Sequence, residues 1–246
     1  MQQNTIWIDI TMLLNWSGQL TGIQRVEYNL AKRFASKANV SFCVFDKINQ
    51  KCLEYDFRHV EYKVSQLHVP QSNLQASISE SDIPSTYRKI LKKIYKATLR
   101  AMPLKISAVA GRAYRTVRSG AHKRDQLKEV VFKSGDLLLV LSGDWSDNIF
   151  ADWTKVKKKT EGIKIVQIVY DMLPYVYPAY FVDGMSDQFC RYMEKIFRIR
   201  DGILAITKST KRDIEKFMND YRISEVPIKV FRLAYDFANL DEVLPK

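Results

Sequence analysis

Two short apolar runs near the middle of the chain stop abruptly at residues that can do chemistry. Residues 135–145 end in Ser142-Gly143-Asp144-Trp145, and residues 162–174 carry Tyr170-Asp171 before Met172-Leu173-Pro174. Asp144 and Asp171 could act as an acid/base pair, one carboxyl giving a proton while the other takes one. Aspartate at a strand end also commonly caps a turn or helix, so both roles stay open. Tyr170 can line a cleft as a hydrogen-bond donor or fill the core. An earlier stretch, residues 15–22, has glycines at Gly18 and Gly22 and runs into Gln24 and Arg25. A strand, a glycine loop and a helix start can aim backbone N–H groups at an anion or a sugar hydroxyl. The same pattern also suits a plain tight turn, with Arg25 solvated.

Elements that would position these residues follow from the hydrophobic spacing. Runs apolar on both faces, such as 135–141 and 162–170, fit central strands of a parallel sheet covered by helices. Residues 148–160 between them are long enough for a crossover helix. Further strands are expected at 6–10, 40–45, 202–207 and 227–233, with a weaker one over 51–62 that could form a hairpin. Helices are expected at 23–34, capped by Thr21 and with Ile23, Val26, Leu30 and Phe34 at helical spacing. Two more are expected at 183–200 and at 208–217, the latter capped by Ser209 or Thr210. The prolines of 174–181 point to an aromatic loop rather than a helix. Alternating strands and helices predict an α/β, Rossmann-like, doubly wound and mostly parallel sheet. Ligands of such sheets gather outside the carboxyl ends of the strands, which places Ser142, Gly143, Asp144, Tyr170 and Asp171 at any cleft.

The net charge of +12 over 246 residues is concentrated in one segment. Residues 88–128 contain thirteen Lys/Arg and one acid, Asp125, so the remainder balances at 26 basic against 26 acidic residues. The stretch 86–101 has a helical apolar stripe surrounded by Arg88, Lys89, Lys92, Lys93, Lys96 and Arg100, and Pro103 follows. A basic amphipathic helical insertion over about 86–128 could lie on an anionic membrane surface or be a solvated face of its own domain. Phosphate neutralisation on nucleic acid is a third option, but no nucleic-acid-binding motif accompanies it. Residues 65–85 read as a polar loop.

Other chemistries find little purchase. Cys43, Cys52 and Cys190 are odd in number, widely spaced and without a CxxC pair, which suits a reducing cytoplasm rather than a disulfide framework or zinc site. His59, His68 and His122 have no metal-ligand spacing. A P-loop, a G-x-S-x-G elbow and an H-E-x-x-H helix are all absent. No apolar run approaches the roughly 20 residues that span a bilayer. The first residues lack a charged segment followed by a long apolar one, so no secretion signal is expected.

Taken in order, Asp9-x-Thr11, Thr21-Gly22-Ile23-Gln24-Arg25, Tyr170-Asp171-Met172-Leu173-Pro174 with Tyr177-Pro178, and Ala205-Ile206-Thr207-Lys208-Ser209 with Asp213-Ile214 form a pattern. It resembles the N-terminal Rossmann-like domain of family 4 GT-B glycosyltransferases, which build bacterial surface polysaccharides such as lipopolysaccharide. The resemblance spans residues 6–237. It implies transfer of a sugar from a nucleotide-sugar co-substrate to a hydroxyl, often with retention, and with no metal or other cofactor. The N-terminal domain would hold the acceptor, frequently a lipid-linked glycan, with Gly18, Thr21, Gly22, Gln24, Arg25 and Gly143 facing acceptor or phosphate. The basic segment would then dock on the inner leaflet, making the protein cytoplasmic and peripherally membrane-associated.

Two departures accompany the resemblance. The family usually has histidine where this chain has Tyr170. The family's second domain carries the donor pocket and two glutamates separated by seven residues, and no such pair occurs here: Glu194 is followed eight positions on by Gly202, and Glu215 by Ile223. The expectation is therefore an acceptor-side domain over 1–237 and, over 238–246, the start of a linker to a C-terminal donor domain that this chain lacks. Alone it should be inactive or nearly so. The rival expectation is a non-catalytic membrane- or glycan-binding module; a nucleotide enzyme of unrelated chemistry is a third.

Overall fold

A computed structural model describes residues 4–16, 18, 20, 22–67, 127–146, 148–231 and 233. The chain divides into two compact units, Met1–Val60 with Lys128–Lys246, and Glu61–Leu127. The first holds the sheet. Of the second, the described part is the end of one helix and Leu127. The expected basic helices, Arg88, Lys89, Lys92, Lys93, Lys96 and Arg100 among them, lie outside the described residues, as do Thr21 and the expected linker.

The elements run β1 (Ile6–Asp9), α1 (Thr11–Asn15), α2 (Gly22–Phe34), β2 (Val40–Asp46), β3 (Lys51–Glu54), α3 (Phe57–Leu67), β4 (Leu137–Val140) and α4 (Ile149–Glu161). They continue with β5 (Lys164–Val169), α5 (Leu173–Val176), a 3₁₀ turn (Pro178–Tyr180), α6 (Met185–Phe197), β6 (Gly202–Ala205), α7 (Lys208–Asp220) and β7 (Ile228–Val230). The strands form one seven-stranded sheet in the order β3-β2-β1-β4-β5-β6-β7. Every pairing is parallel except the β2–β3 hairpin. The chain fills one side of β1 first and then crosses to the other, so the strand order reverses between β1 and β4. Asp9 stands level with Val140, Val140 with Gln167, and Val169 with Ala205. The carboxyl ends of β1, β4, β5 and β6 therefore open on the same edge.

The central runs are buried as their composition requires. Ile8, Leu138, Val140 and Ile165 are inaccessible to solvent. One core cluster joins Trp7, Phe45, Leu138, Val140 and Ile165 to Phe150 and Trp153 of α4. Another joins Val169, Ile203 and Ala205 to Phe189, Ile196 and Phe197 of α6 and Ile214 and Phe217 of α7. Phe197 and Phe217 are both fully buried and meet edge to face at 5.8 Å. Each large apolar side chain buried this way contributes about 1.5–3 kcal/mol. At the opposite edge of the sheet the buried Asp136 carboxylate accepts from the Thr5 and Lys133 backbone N–H groups, both at 2.9 Å, and from Trp7 Nε1 at 3.3 Å. It pins the starts of β1 and β4 together.

Several expectations are corrected. The weak strand over 51–62 ends at Glu54, and Phe57 begins a helix, because Phe57, Val60 and Val64 are buried at helical spacing. A further short helix, α1, occupies residues that read as strand exit and loop. Residues 174–181 are largely helical: Pro174 sits in the first turn of α5 and Pro178 in that of the 3₁₀ turn. Proline is compatible with a first turn because the N–H it lacks would have had no partner there. The cap of α7 is Thr207, whose Oγ1 accepts from the Thr210 N–H at 2.9 Å, rather than Ser209 or Thr210. The apolar stripe of α2, Ile23, Val26, Leu30 and Phe34, is not fully buried. The buried residues of this helix are Glu27 and Ala31, and Ile23 is 38% exposed.

Candidate functional site

A cavity of about 310 Å³ opens at the carboxyl ends of β4 and β5. Its polar lining comes from Ser142, Gly143, Gln167, Tyr170 and Asp171. Apolar lining comes from Ile23 at the start of α2, Trp145, Leu173, Pro174 and Phe181, with α6 closing it through Phe189, Tyr192, Met193 and Ile196. Four of the five residues expected at the cleft are thus brought together.

Asp144 is the exception. Its carboxylate is paired with Lys47 at 2.5 Å and accepts from the Ser146 N–H at 3.0 Å. Burial pushes this carboxyl up, but the Lys47 ammonium and Ser146 outweigh it and hold the group below the usual carboxylate range. Asp144 and Asp171 therefore do not share one cavity. Asp171 is exposed, and its Oδ1 accepts from the Leu173 N–H at 3.0 Å, so it starts α5 while bordering the cavity. The Tyr170 backbone carbonyl accepts from Thr210 Oγ1 at 3.1 Å, which fixes it against α7. Its phenolic oxygen is buried with no hydrogen-bond partner, and burial raises its pKa well above the ordinary value.

Gly143 is required by close approach. A Cβ there would run into the Tyr192 hydroxyl. The first glycine loop is placed differently from the cavity wall. Gly22 opens α2 with φ of +46° and open space around it. Gly18 lies beside the Trp16 ring, and Arg25 Nη2 reaches back to the Leu20 carbonyl at 3.4 Å. Gly18, Gly22, Gln24 and Arg25 do not line the cavity; Ile23 does.

The residue that sequence reasoning missed is Glu27. It is 1% exposed, and neither carboxylate oxygen has a partner within hydrogen-bonding geometry. Burial pushes its pKa up to about 7; the nearby Ser142 hydroxyl opposes that rise in part, and the Asp9 carboxylate adds to it. Asp9 is also buried. Its Oδ1 accepts from the Thr11 N–H at 3.0 Å and from Thr11 Oγ1, while Thr11 Oγ1 in turn accepts from the Phe45 N–H at 2.7 Å. Asp9-x-Thr11 is thus an internal clamp joining β1 to β2. Burial still raises the Asp9 carboxyl to about 6. The cation acting on it is Arg200, 2% exposed, whose guanidinium reaches Thr154 Oγ1 at 3.2 Å and Gln167 Oε1 at 3.1 Å.

The switch point of the sheet therefore holds two buried carboxyls, one buried guanidinium and a phenol beside a largely apolar cavity. Such an arrangement can bind a hydroxyl-bearing ligand and hold or exchange a proton near neutral pH. Among the described residues no three His, Cys, Asp or Glu side chains group as metal ligands, and no helix is long and apolar enough to cross a membrane. No protein-family model matches the chain, and no curated protein matches it in sequence.

Proposed function

We propose that this chain is the acceptor-side domain of a family 4 GT-B glycosyltransferase, with the doubly wound sheet of that fold. The observation that carries the reading is the cavity at the carboxyl ends of β4 and β5. It combines aromatic and aliphatic walls with Ser142, Tyr170 and Asp171, and it lies beside the point, between β1 and β4, where the strand order reverses. Apolar walls suit the C–H faces of a sugar ring, and a few convergent polar groups suit its hydroxyls. A nucleotide-sugar would be supplied by a second domain, and transfer would go to a glycan, lipid-linked in the membrane-bound case. The basic segment 86–128 would hold the protein on the anionic inner leaflet, its charges adding on the order of 1 kcal/mol each.

Two measurements test the reading. Saturation-transfer NMR on the 246-residue chain should detect bound oligosaccharide acceptors, and Tyr170→Ala should weaken them. A chain that binds nucleotide-sugars but no glycan refutes the acceptor assignment. Cosedimentation with phosphatidylglycerol vesicles should fall when Arg88, Lys89, Lys92, Lys93, Lys96 and Arg100 are all changed to Gln; undiminished binding removes the membrane role. Glycan binding that persists when a donor domain is supplied, with no sugar transferred, would favour a non-catalytic glycan-binding module instead.

A further inference from the structure

The least explained group in the molecule is the Glu27 carboxylate, and its neighbours say what would complete it. Glu27 projects from the buried seam of α2, shared with Ala31, at a position where an apolar residue would normally sit. The groups that act on it or feel it are Asp9 at the end of β1, Ser142 after β4 and Tyr170 after β5, and Arg200 in turn acts on Asp9. Asp9 is satisfied by Thr11, and Arg200 reaches Thr154 and Gln167. The Glu27 carboxylate and the Tyr170 hydroxyl are left without partners although both are shielded from solvent. Buried polar groups without partners are costly and uncommon. These two are complementary in kind, since a carboxylate accepts and a phenol donates.

We propose that Glu27, Ser142 and Tyr170 form one hydroxyl-recognition site at the inner wall of the cavity, completed by a hydroxyl group of a neutral polyol. Ser142, which lines the cavity, links the ligand to Glu27: its O–H donates to the carboxylate while its oxygen accepts from the ligand O–H, and the ligand oxygen accepts from Tyr170 Oη once the ligand's entry turns that phenol towards it. Neutrality follows from the surroundings. An anion would face Asp9 and Glu27 together, and Ile23, Trp145, Leu173 and Phe181 offer apolar contact rather than countercharge. This assignment rests on the carbohydrate reading of the cavity. It adds Glu27, a residue outside the visible lining, as the one that sets hydroxyl recognition. Donation from the ligand through Ser142 favours the ionised carboxylate, so binding should strengthen as pH rises through neutrality and should release a proton.

The test is a pH titration of the chain labelled with carboxyl-¹³C glutamate, the Glu27 resonance being identified by its absence in Glu27→Gln. It is run with and without methyl α-D-glucopyranoside, and ring signals of Trp145 and Tyr170 are followed alongside. The expected result is a fall in the Glu27 midpoint of about one pH unit when glycoside is present, with about tenfold weaker glycoside binding in Tyr170→Phe. Ring signals that respond while the Glu27 midpoint stays fixed overturn this inference but leave the carbohydrate reading standing. No response from any of them overturns both. Should Glu27→Gln fold poorly, proton release on glycoside binding by the wild-type chain, measured calorimetrically in two buffers, gives the same decision, and zero release refutes the site.

Discussion

Burying Glu27 should leave a signature in how stability depends on pH. In the unfolded chain this carboxyl titrates at its ordinary value of 4.5, whereas in the fold burial raises it to about 7. Between those values the unfolded chain has given up a proton that the folded chain keeps, so folding becomes less favourable as pH rises. The contribution is fully present below 4.5 and lost once pH passes 7. At 1.36 kcal/mol per pH unit the loss is about 3 kcal/mol. Glu27→Gln keeps the shape of the side chain and removes its titration. Its buried amide is no better satisfied, so at pH 5 the variant should be equal to the wild type or less stable by about 1–3 kcal/mol. By pH 8.5 the difference should have moved about 3 kcal/mol in the variant's favour. With a urea m-value of about 3 kcal/mol/M, that is roughly 1 M in the midpoint. Asp9 also titrates in this range, at about 6, but it is present in both proteins and its own contribution cancels except for its coupling to Glu27. Urea melts of both proteins at four pH values decide the matter. A stability difference that stays constant with pH would falsify the assignment of Glu27 as a buried, uncompensated carboxyl.

Three further predictions concern the frame around it. Gly143→Ala drives a Cβ into the Tyr192 hydroxyl and should cost about 1–3 kcal/mol; adding Tyr192→Phe should recover much of that, and a thermal-melt double-mutant cycle with no coupling would contradict the contact. Thr207→Ala removes the one side-chain cap of α7 and should cost about 1 kcal/mol, read as a lower urea midpoint at unchanged m-value; an unaltered midpoint would show that another group serves the helix start. Arg200→Met should cost about 3–5 kcal/mol, because Gln167 and Thr154 lose a buried donor and Asp9 loses its cation; an unchanged melting temperature would mean that the guanidinium contributes no net stability.

How much of this was legible depends on what kind of signal each element leaves. The runs at β4 and β5 are apolar on both faces and end sharply, so both strands and the crossover helix between them were readable almost to the residue. The helix α3 was not, because Leu53, Tyr55 and Phe57 alternate with polar residues as a strand does, and the helical spacing shows only once Val60 and Val64 are counted. Prolines misled at 174–181, where they mark the starts of helical turns rather than breaks. At the site, Ser142, Gly143, Tyr170 and Asp171 could be placed from sequence because strand ends in a parallel sheet converge. Asp144 could not be separated from them, since its pairing with Lys47 joins residues nearly a hundred positions apart.

Glu27 escaped for a physical reason. Reading α2 by its apolar residues, Ile23, Val26, Leu30 and Phe34, outlines a stripe that is rotated from the buried face. The buried seam beside that stripe is Glu27 and Ala31. Glutamate is almost never fully buried unless paired, so no pattern rule would put it there. That improbability is what gives the position meaning. Leucine at position 27 would fill the same seam without a desolvated carboxyl, and the neighbouring Asp9 would be eased as well. Asp9 has its Thr11 clamp and Arg200 its buried acceptors, whereas Glu27 has only the Ser142 hydroxyl, which offsets its burial in part. A buried carboxyl that costs stability and is only partly offset within the fold is explained by what enters the cavity beside it.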